Sequence, residues 1–498
     1  MSAIAAGGVA DRAAGLGVLA AASISALVVN ANTSAVTILL PTMSKDVGAP
    51  VAQLQWAVTG YMLVGAAVIV TSGALGDVLG RRRVFLAGLG LFIASCVLIA
   101  LSDSGGGIIA GRMIQGAAGS TILACGMSLL SVAASGAGQM KAITIWGAAS
   151  AAGAAAGPLI GGVLVDLSGW QGLFWLDAAI AAACVPLTLF KVAESRDPNR
   201  SKSIDFLGTI LIAVILVPLV LALSEGADWG WTSVKTIGCL VITIVGAVLF
   251  VVVEGRVKAP LVDLKLLRNQ ILVGATLAIL IVAGTINALM YILSLYFQNP
   301  SAFGMSALET GFATLPAAAA MILVTPLITP IAVKIGTRFA IVAGFGLSAI
   351  GFGVLAFVHA SWAYAAFIAP LAVIAAGLGL SNGPASSAST SAVPADQVGQ
   401  ASGISNMARY IGGSLFVAAI ATVYNSVTVD HEKSGASSAD ALAAALSRSC
   451  LVMAILAALG IAVALLMARH HQRKPKAVDL AAAAAATAHT IPTQPQSA

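Results

Sequence analysis

The sequence predicts an all-α membrane protein of fourteen transmembrane helices. Its 498 residues are 59% hydrophobic and only 9% charged, with a mean hydropathy of +0.99. A soluble domain could not bury that much apolar surface, so lipid must solvate it. Apolar runs long enough to cross roughly 30 Å of hydrocarbon recur from end to end, and without water there to satisfy the backbone each must be a helix.

The first run, from about Gly15 to Leu40, is too long for a secretory signal and has Pro41 and Lys45 beyond it, so it reads as the first span. Between the second and third spans, GALGDVLGRRR (Gly73 to Arg83) packs one acid and three arginines between two apolar runs and marks a cytoplasmic turn. The spans are expected at roughly 15–40, 55–76, 84–102, 107–131, 142–166, 170–190, 204–224, 236–253, 271–296, 310–333, 339–358, 362–386, 399–426 and 449–468. Lys191 to Ser203 (KVAESRDPNRSKS) forms a charged cytoplasmic linker after the sixth span, and Asn425 to Arg448 forms a polar outside loop before the last. Beyond Met467 the basic ARHHQRKPK and the alanine-rich tail are too poor in bulky apolar residues to fold.

Basic residues near span ends accumulate on the cytoplasmic side. With both termini inside, 19 of the 25 lysines and arginines fall there, four lie outside (Lys45, Lys235, Lys433 and Arg448), and Arg112 and Arg409 remain in the membrane. An odd number of missed helices would scramble that ratio. The net charge of +6 is therefore a topology signal and no argument for nucleic-acid binding.

Cys96, Cys125, Cys184, Cys239 and Cys450 show no CxxC spacing, so neither a zinc site nor a disulfide framework is expected. The five histidines, His359, His431, His470, His471 and His489, are placed in loops or tail, away from any metal or proton-relay grouping. No phosphate-binding glycine loop follows a strand and no Ser/His/Asp grouping is present, so an enzyme is not expected.

GALGDVLGRRR resembles the signature loop of the major facilitator superfamily, matching at Gly73, Leu75, Asp77, Gly80, Arg81 and Arg82. The resemblance implies a conformational latch: glycines bring two helices together, and the basic residues face Asp77 or the C-terminal end of a neighbouring helix. A blander reading makes the arginines positive-inside anchors. About 256 residues later TPIAVKIGTRF repeats the pattern, with Thr329, Val333, Gly336 and Arg338 at the places of Gly73, Asp77, Gly80 and Arg82, the acid being lost. Two six-helix halves with substrate bound between them follow from that family architecture. Two helices left over, inserted between the halves, resemble the fourteen-helix drug:proton antiporter branch. The implied division is a cytoplasmic N-terminus at 1–14, a six-helix half at 15–190, linker plus inserted helices at 191–258, a second half at 259–468, and a disordered cytoplasmic tail at 469–498.

Two further motifs are similar to that branch. GRMIQGAAG sets Arg112 inside an apolar span beside Gln115 and Gly116. An arginine in the membrane is expensive and is retained for a partner or a proton pathway. GAAAGPLIGG spaces Gly153, Gly157, Pro158, Gly161 and Gly162 as in the antiporter motif of exporters, a pliable helix with one thin face. Any single glycine in a chain with 52 of them also reads as simple helix packing. QWAVTGYML, which holds Tyr61, the GW…LFWLDA start of the sixth span and GQASGISNMARYIGGSL, which holds Arg409, agree.

One departure stands out. Members of the branch carry an Asp about nine residues before the proline ending helix 1, where this chain has Asn32, and an Asn where it has Asp177. An amide cannot carry a proton or neutralise a cation. Asp177 is thus the clearest candidate for an intramembrane protonation site, although it also reads as a hydrated or capping residue near the outer end of its helix. The resulting expectation is an exporter of small amphipathic molecules, neutral or anionic, with Asn32, Arg112, Gln115, Asp177, Tyr61 and Arg409 on the proton or substrate pathway. The resemblance implies alternating access in a bacterial-type inner membrane with both termini cytoplasmic, the proton gradient as energy source, no cofactor, and no partner beyond substrate and lipid; the sequence leaves the oligomeric state open, a monomer being compatible with it. An uncoupled uniporter or lipid or metabolite flippase, and a non-transporting membrane sensor, stay open as alternatives.

Overall fold

The computed structural model describes residues 2–133, 136–197, 204–257, 260–317, 320, 335–394 and 397–467, and no strand occurs among them. The helices are α1 (Ser2–Val47), the single turn α2 (Val51–Leu54), α3 (Trp56–Leu79), α4 (Arg81–Ala100), α5 (Gly105–Ala133), α6 (Gly136–Ser168) and α7 (Gln171–Lys191). There follow α8 (Phe206–Trp229), α9 (Val234–Glu254), α10 (Gln270–Gln298), α11 (residues 307–317), α12 (Thr337–Leu355), α13 (Ala365–Ser391), α14 (Val398–Lys433) and α15 (Ser438–Leu466). Thirteen of them are long and apolar enough to cross a membrane. The span expected at 310–333 lies largely outside the described residues, as do Thr329, Val333, His470, His471, His489 and the tail.

Two expectations are corrected. α1 runs through Pro41 to Val47 and stops only at Gly48, whose φ of +64° supplies the left-handed residue that ends a helix. The Asn425–Arg448 segment is helix on both sides of a short turn: α14 continues to Lys433, carrying His431 within it, and Gly435 at φ +87° reverses the chain. Ser437 then caps α15, its hydroxyl accepting from the Asp440 amide at 3.2 Å and donating to the Asp440 carboxylate at 2.6 Å. Polar residues there signal helix ends standing clear of the hydrocarbon, since helical backbone is satisfied in water as well as in lipid.

One bundle joins α1 to α5, α6 and α7, with α3 and α4 on α5; a second joins α10 to α13, α14 and α15, with α12 on α13 and α15. α8 packs on α9 and lies across both α3 and α14. A hydrogen bond between Thr71 and Thr209 ties α3 to α8, and Thr422 of α14 donates to the Leu223 carbonyl of α8 at 2.7 Å. α9 leans mainly on α8 and presents Ile244, Val248 and Val251 outward, the apolar face that lipid solvates.

The bundles meet firmly at the end of the molecule remote from Gly80. There a Cβ on Gly162 would stand 2.6 Å from the Leu308 Cα of α11, one on Gly311 would stand 2.8 Å from the Pro158 carbonyl, and Gln298 donates to the Ile38 carbonyl at 2.8 Å. Toward the other end, which carries the arginine-rich turn, no residue of α6 from Lys141 to Ala152 is buried.

Candidate functional site

Close helix approach builds a polar centre inside the first bundle. A Cβ on Gly116 of α5 would strike the Tyr61 backbone of α3, so only glycine lets α5 lie this near. That closeness allows Arg112 Nε to donate to the Ala57 carbonyl at 3.0 Å. Arg112 Nη1 donates to Asn32 Oδ1 and to Gln115 Oε1, both at 2.5 Å, and its guanidinium stacks 4.2 Å over the Tyr61 ring. The side chain is fully buried, and Nη2 is left without a partner.

Asn32 is the pivot. Its Nδ2 donates to Asp177 Oδ2 at 2.7 Å while its Oδ1 accepts from Arg112. An amide holds a donor and an acceptor at once, which an ionised carboxylate does not, so Asn32 bridges cation and anion. Asp177 lies six residues inside α7, is 3% exposed and caps no helix end. Gln115 extends the network by donating to Cys96 Sγ of α4 at 3.0 Å. The other polar residues along α1, Asn30, Thr33, Ser34 and Thr37, hydrogen-bond carbonyls of their own helix.

The α3–α4 turn is tied to the segment after α7. Gly80 holds φ +120°, and a Cβ there would stand 2.7 Å from the Glu194 carboxyl carbon. Glu194 accepts from the Arg82 amide at 3.1 Å and the Arg83 amide at 3.3 Å, covering the first turn of α4. The Arg81 amide donates to the Ser195 carbonyl at 2.9 Å, and the Asp197 amide to the Asp77 carbonyl at 3.0 Å. Asp77 Oδ1 accepts from Arg81 Nε and Nη2, each at 2.9 Å, and Arg82 Nη2 reaches the Leu189 carbonyl near the end of α7. A Cβ on Gly73 meets nothing within 4 Å; the close glycine of this stretch is Gly76, whose Cβ would lie 3.0 Å from Cys125 Sγ.

The second copy of the motif repeats part of this geometry. Gly336 has φ +87°, and two residues on Arg338 donates to the Leu465 carbonyl near the end of α15, as Arg82 does to the last helix of the first bundle.

In α6 the glycine face lies on α1. A Cβ on Gly153 would strike the Leu27 carbonyl, one on Gly157 the Ala31 carbonyl and the Ser34 hydroxyl, and one on Gly161 would come within 3.1 Å of Ala35 Cβ. Pro158 and Gly162 face α11 instead. The motif thus touches both bundles. Arg409 stands apart from Arg112, on α14, where Nη1 donates to Asn382 Oδ1 at 2.8 Å and Nη2 to Ser386 Oγ at 2.6 Å. Tyr410 beside it lies 6.4 Å from Tyr61 across the α3–α14 contact.

Sequence reasoning missed Glu194, Cys96, Tyr410, Asn382 and Ser386. Glu194 alone left a trace, an acid in an otherwise basic linker start; the rest are ordinary residues until the fold brings them to an arginine or a tyrosine.

With this arrangement in place, the comparison with known proteins is decisive: residues 22–417 match the Major Facilitator Superfamily. The chain belongs to the major facilitator superfamily. The multidrug resistance protein Stp of Mycobacterium tuberculosis is 33% identical over 390 residues, covering 78% of this chain and 72% of that protein. The tetracenomycin C resistance and export protein of Streptomyces glaucescens is 29% identical over 406 residues, 81% of this chain and 74% of its own length. The cephamycin export protein CmcT of Amycolatopsis lactamdurans is 29% identical over 403 residues, 80% of this chain and 82% of its own. Among solved structures, a bacterial homologue of the human lysosomal transporter Spinster, inward-facing and unoccupied, aligns at a TM-score of 0.63 and 15% identity over 92% of this chain and 97% of that one. An auto-inhibited peptide transporter of the POT family aligns at 0.65 and 14%, over 91% and 97%. Those two likenesses establish the fold. This major facilitator protein is a multi-pass membrane transporter with drug and antibiotic exporters among its relatives, and not an enzyme.

Proposed function

We propose that the protein exports small neutral or anionic amphiphiles from the cytoplasm in exchange for protons, by alternating access across a bacterial-type inner membrane. The observation that carries this is the buried chain Arg112–Asn32–Asp177. Ionised, Asp177 balances Arg112 through the bridging amide. Protonated, it withdraws the negative half of the pair and leaves a desolvated cation whose Nη2 has no partner, a state that must be relieved by an electron-rich group or by rearrangement. Proton loading thereby changes which conformation is favoured. The arginine-rich end is the cytoplasmic one by the positive-inside rule, with both termini there. Close α6–α11 and α1–α10 contact at the opposite end, and the stretch of α6 from Lys141 to Ala152 with no buried residue at this one, support an inward-facing state.

Cargo follows from charge. Organic dications need deep carboxylates to offset desolvated positive charge, and here the deep carboxylate is engaged by Asn32. The names of the relatives support antibiotic-like molecules. Substrate and lipid are the partners this reading requires, and a single chain suffices. The test is efflux of a dye and antibiotic panel in an exporter-deficient host. Concentrative efflux that collapses with a protonophore supports the proposal, and gradients that survive it overturn the coupling. An uncoupled uniporter is favoured by one observation, Asn32 at the position where the family carries its acid, and predicts downhill flux alone.

A further inference from the structure

Arg409 is an intramembrane cation that the Arg112 network does not use. Among the described residues no carboxylate pairs with it; the ion pairs found there are Arg81–Asp77 and Arg83–Glu194. Its two partners are neutral, and they are fixed before any ligand arrives. Ser386 donates its own proton to the Asn382 carbonyl at 2.8 Å, which turns a lone pair toward Arg409 Nη2. Asn382 turns its amide oxygen to Nη1, which leaves its NH2 group facing away from that bond.

Two of the five guanidinium N–H donors are thus occupied and three remain. Arg409 and Asn382 are only half-buried, so these donors are not sealed off. Along α14, Arg409 continues a stripe with Asn406 and Ser402 at helical spacing; along α13, Asn382 and Ser386 continue to Thr390, all half-buried. The two polar stripes run toward the arginine-rich end, and Arg409 lies about 16 Å along α14 from its start at Val398. A polar lane entering from the cytoplasmic side therefore ends on an uncompensated positive charge.

A helix staple would not need that charge. A neutral donor joins Asn382 to α14 as well, whereas a permanent cation at this depth is costly and is kept for a counter-charge. We propose that Arg409, splayed by Asn382 and Ser386, is the docking site for the anionic group, carboxylate, sulfonate or phosphate, of an amphiphile entering from the cytoplasm. The inference rests on the export reading and gives it a charge preference.

The test uses full-length protein reconstituted in phosphatidylcholine vesicles with an acidic lumen, and two probes that differ only in charge, cholate and its methyl ester. Uptake of each is measured against protein-free vesicles. In Arg409→Gln, which keeps a donor for Asn382, the cholate-to-ester ratio is expected to fall about tenfold from wild type, the scale of one charged contact. Arg409→Lys retains most of the ratio. Ser386→Asp, which neutralises the guanidinium without removing it, lowers the ratio as Arg409→Gln does and serves if the latter does not fold. An unchanged ratio in both charge-removing variants overturns the site, as does wild-type uptake of the ester without cholate. Uptake of neither steroid overturns the export of amphiphiles, and this inference with it. Phosphatidylglycerol added to the vesicles separates two sources of the anion. A wild-type ratio that falls in proportion to it, with no such fall in Arg409→Gln, assigns the site to lipid headgroups; an unaffected ratio assigns it to the free amphiphile.

Discussion

Replacing Glu194 by Gln tests whether the α3–α4 turn is held by charge. The carboxylate accepts the first amides of α4 at 3.1 and 3.3 Å, where the helix dipole is positive, and lies 3.7 Å from Arg83 Nε. A negative charge in a partly buried helix-start position contributes about 0.3–2 kcal/mol. Glu194 is 28% exposed, which places it in the upper part of that range, while Arg83 at 70% exposed adds about 0.5 kcal/mol or less. Gln keeps an oxygen that accepts hydrogen bonds, so what is lost is the charge-assisted share of them. The sum is about 1–2 kcal/mol, or roughly a 5–30-fold easier local opening. Hydrogen exchange read at the Arg82 and Arg83 amides gives the measurement: exchange quickens by that factor in Glu194→Gln and changes less than about twofold in Arg83→Gln. Equal protection in wild type and Glu194→Gln would show that the backbone bonds from Arg81 to Ser195 and from Asp197 to Asp77 hold the turn unaided, and the reasoning from charge would be refuted.

Asp77→Asn keeps an oxygen that can accept from Arg81 but removes the negative charge behind the two 2.9 Å contacts, and is expected to slow efflux about tenfold with normal folding, the scale of one lost charge-assisted contact of about 1.5 kcal/mol; unchanged efflux at normal abundance counts against a latch. Gly157→Leu forces a side chain into the Ala31 backbone and should cost about 1–3 kcal/mol of packing. Gly147→Leu on the same helix, where a Cβ meets nothing within 4 Å, is the control, and equal efflux per folded molecule at both sites would sink the motif assignment. Asp177→Asn is expected to abolish protonophore-sensitive accumulation while downhill exchange survives. One proton per molecule sustains about a 50-fold gradient at 100 mV, so a variant that still holds such a gradient refutes Asp177 as the carrier.

The helical architecture was legible because hydrophobic length decides it, and lipid removes the alternatives. Element ends were less so. A helix reaching past the hydrocarbon keeps its backbone bonds, so polarity alone misplaced the stop of α14, and Pro41 failed to end α1. Among the site residues, Arg112 and Asp177 were visible because charge in a span is rare. Glu194 was not singled out, because a carboxylate in a charged linker looks like solvated surface until Gly80, at φ +120°, turns the start of α4 toward it. Asn382 and Ser386 carried no signal of their own, since small polar residues in spans mostly bond their own helix, as Thr33 and Thr37 of α1 do.

The pairing of Asn32 with Asp177 illustrates how far sequence reasoning reaches and where geometry must finish it. Comparing positions suggests an acid lost from one helix and gained in another. The structure puts both residues in a single hydrogen-bond chain with Arg112, so the exchange moves the acid one bond farther from the guanidinium without removing it from the network. The consequence is testable by restoring the acid. Asn32→Asp alone sets two carboxylates side by side near one arginine, where they must share a proton. Asn32→Asp with Asp177→Asn returns the acid to direct contact with Arg112 and leaves the amide on α7. If the network as a whole carries the proton, the double variant regains the protonophore-sensitive gradient that Asp177→Asn loses. A double variant that folds, carries substrate downhill and still builds no gradient would mean that the acid works only at Asp177, where it stands one amide removed from its counter-charge.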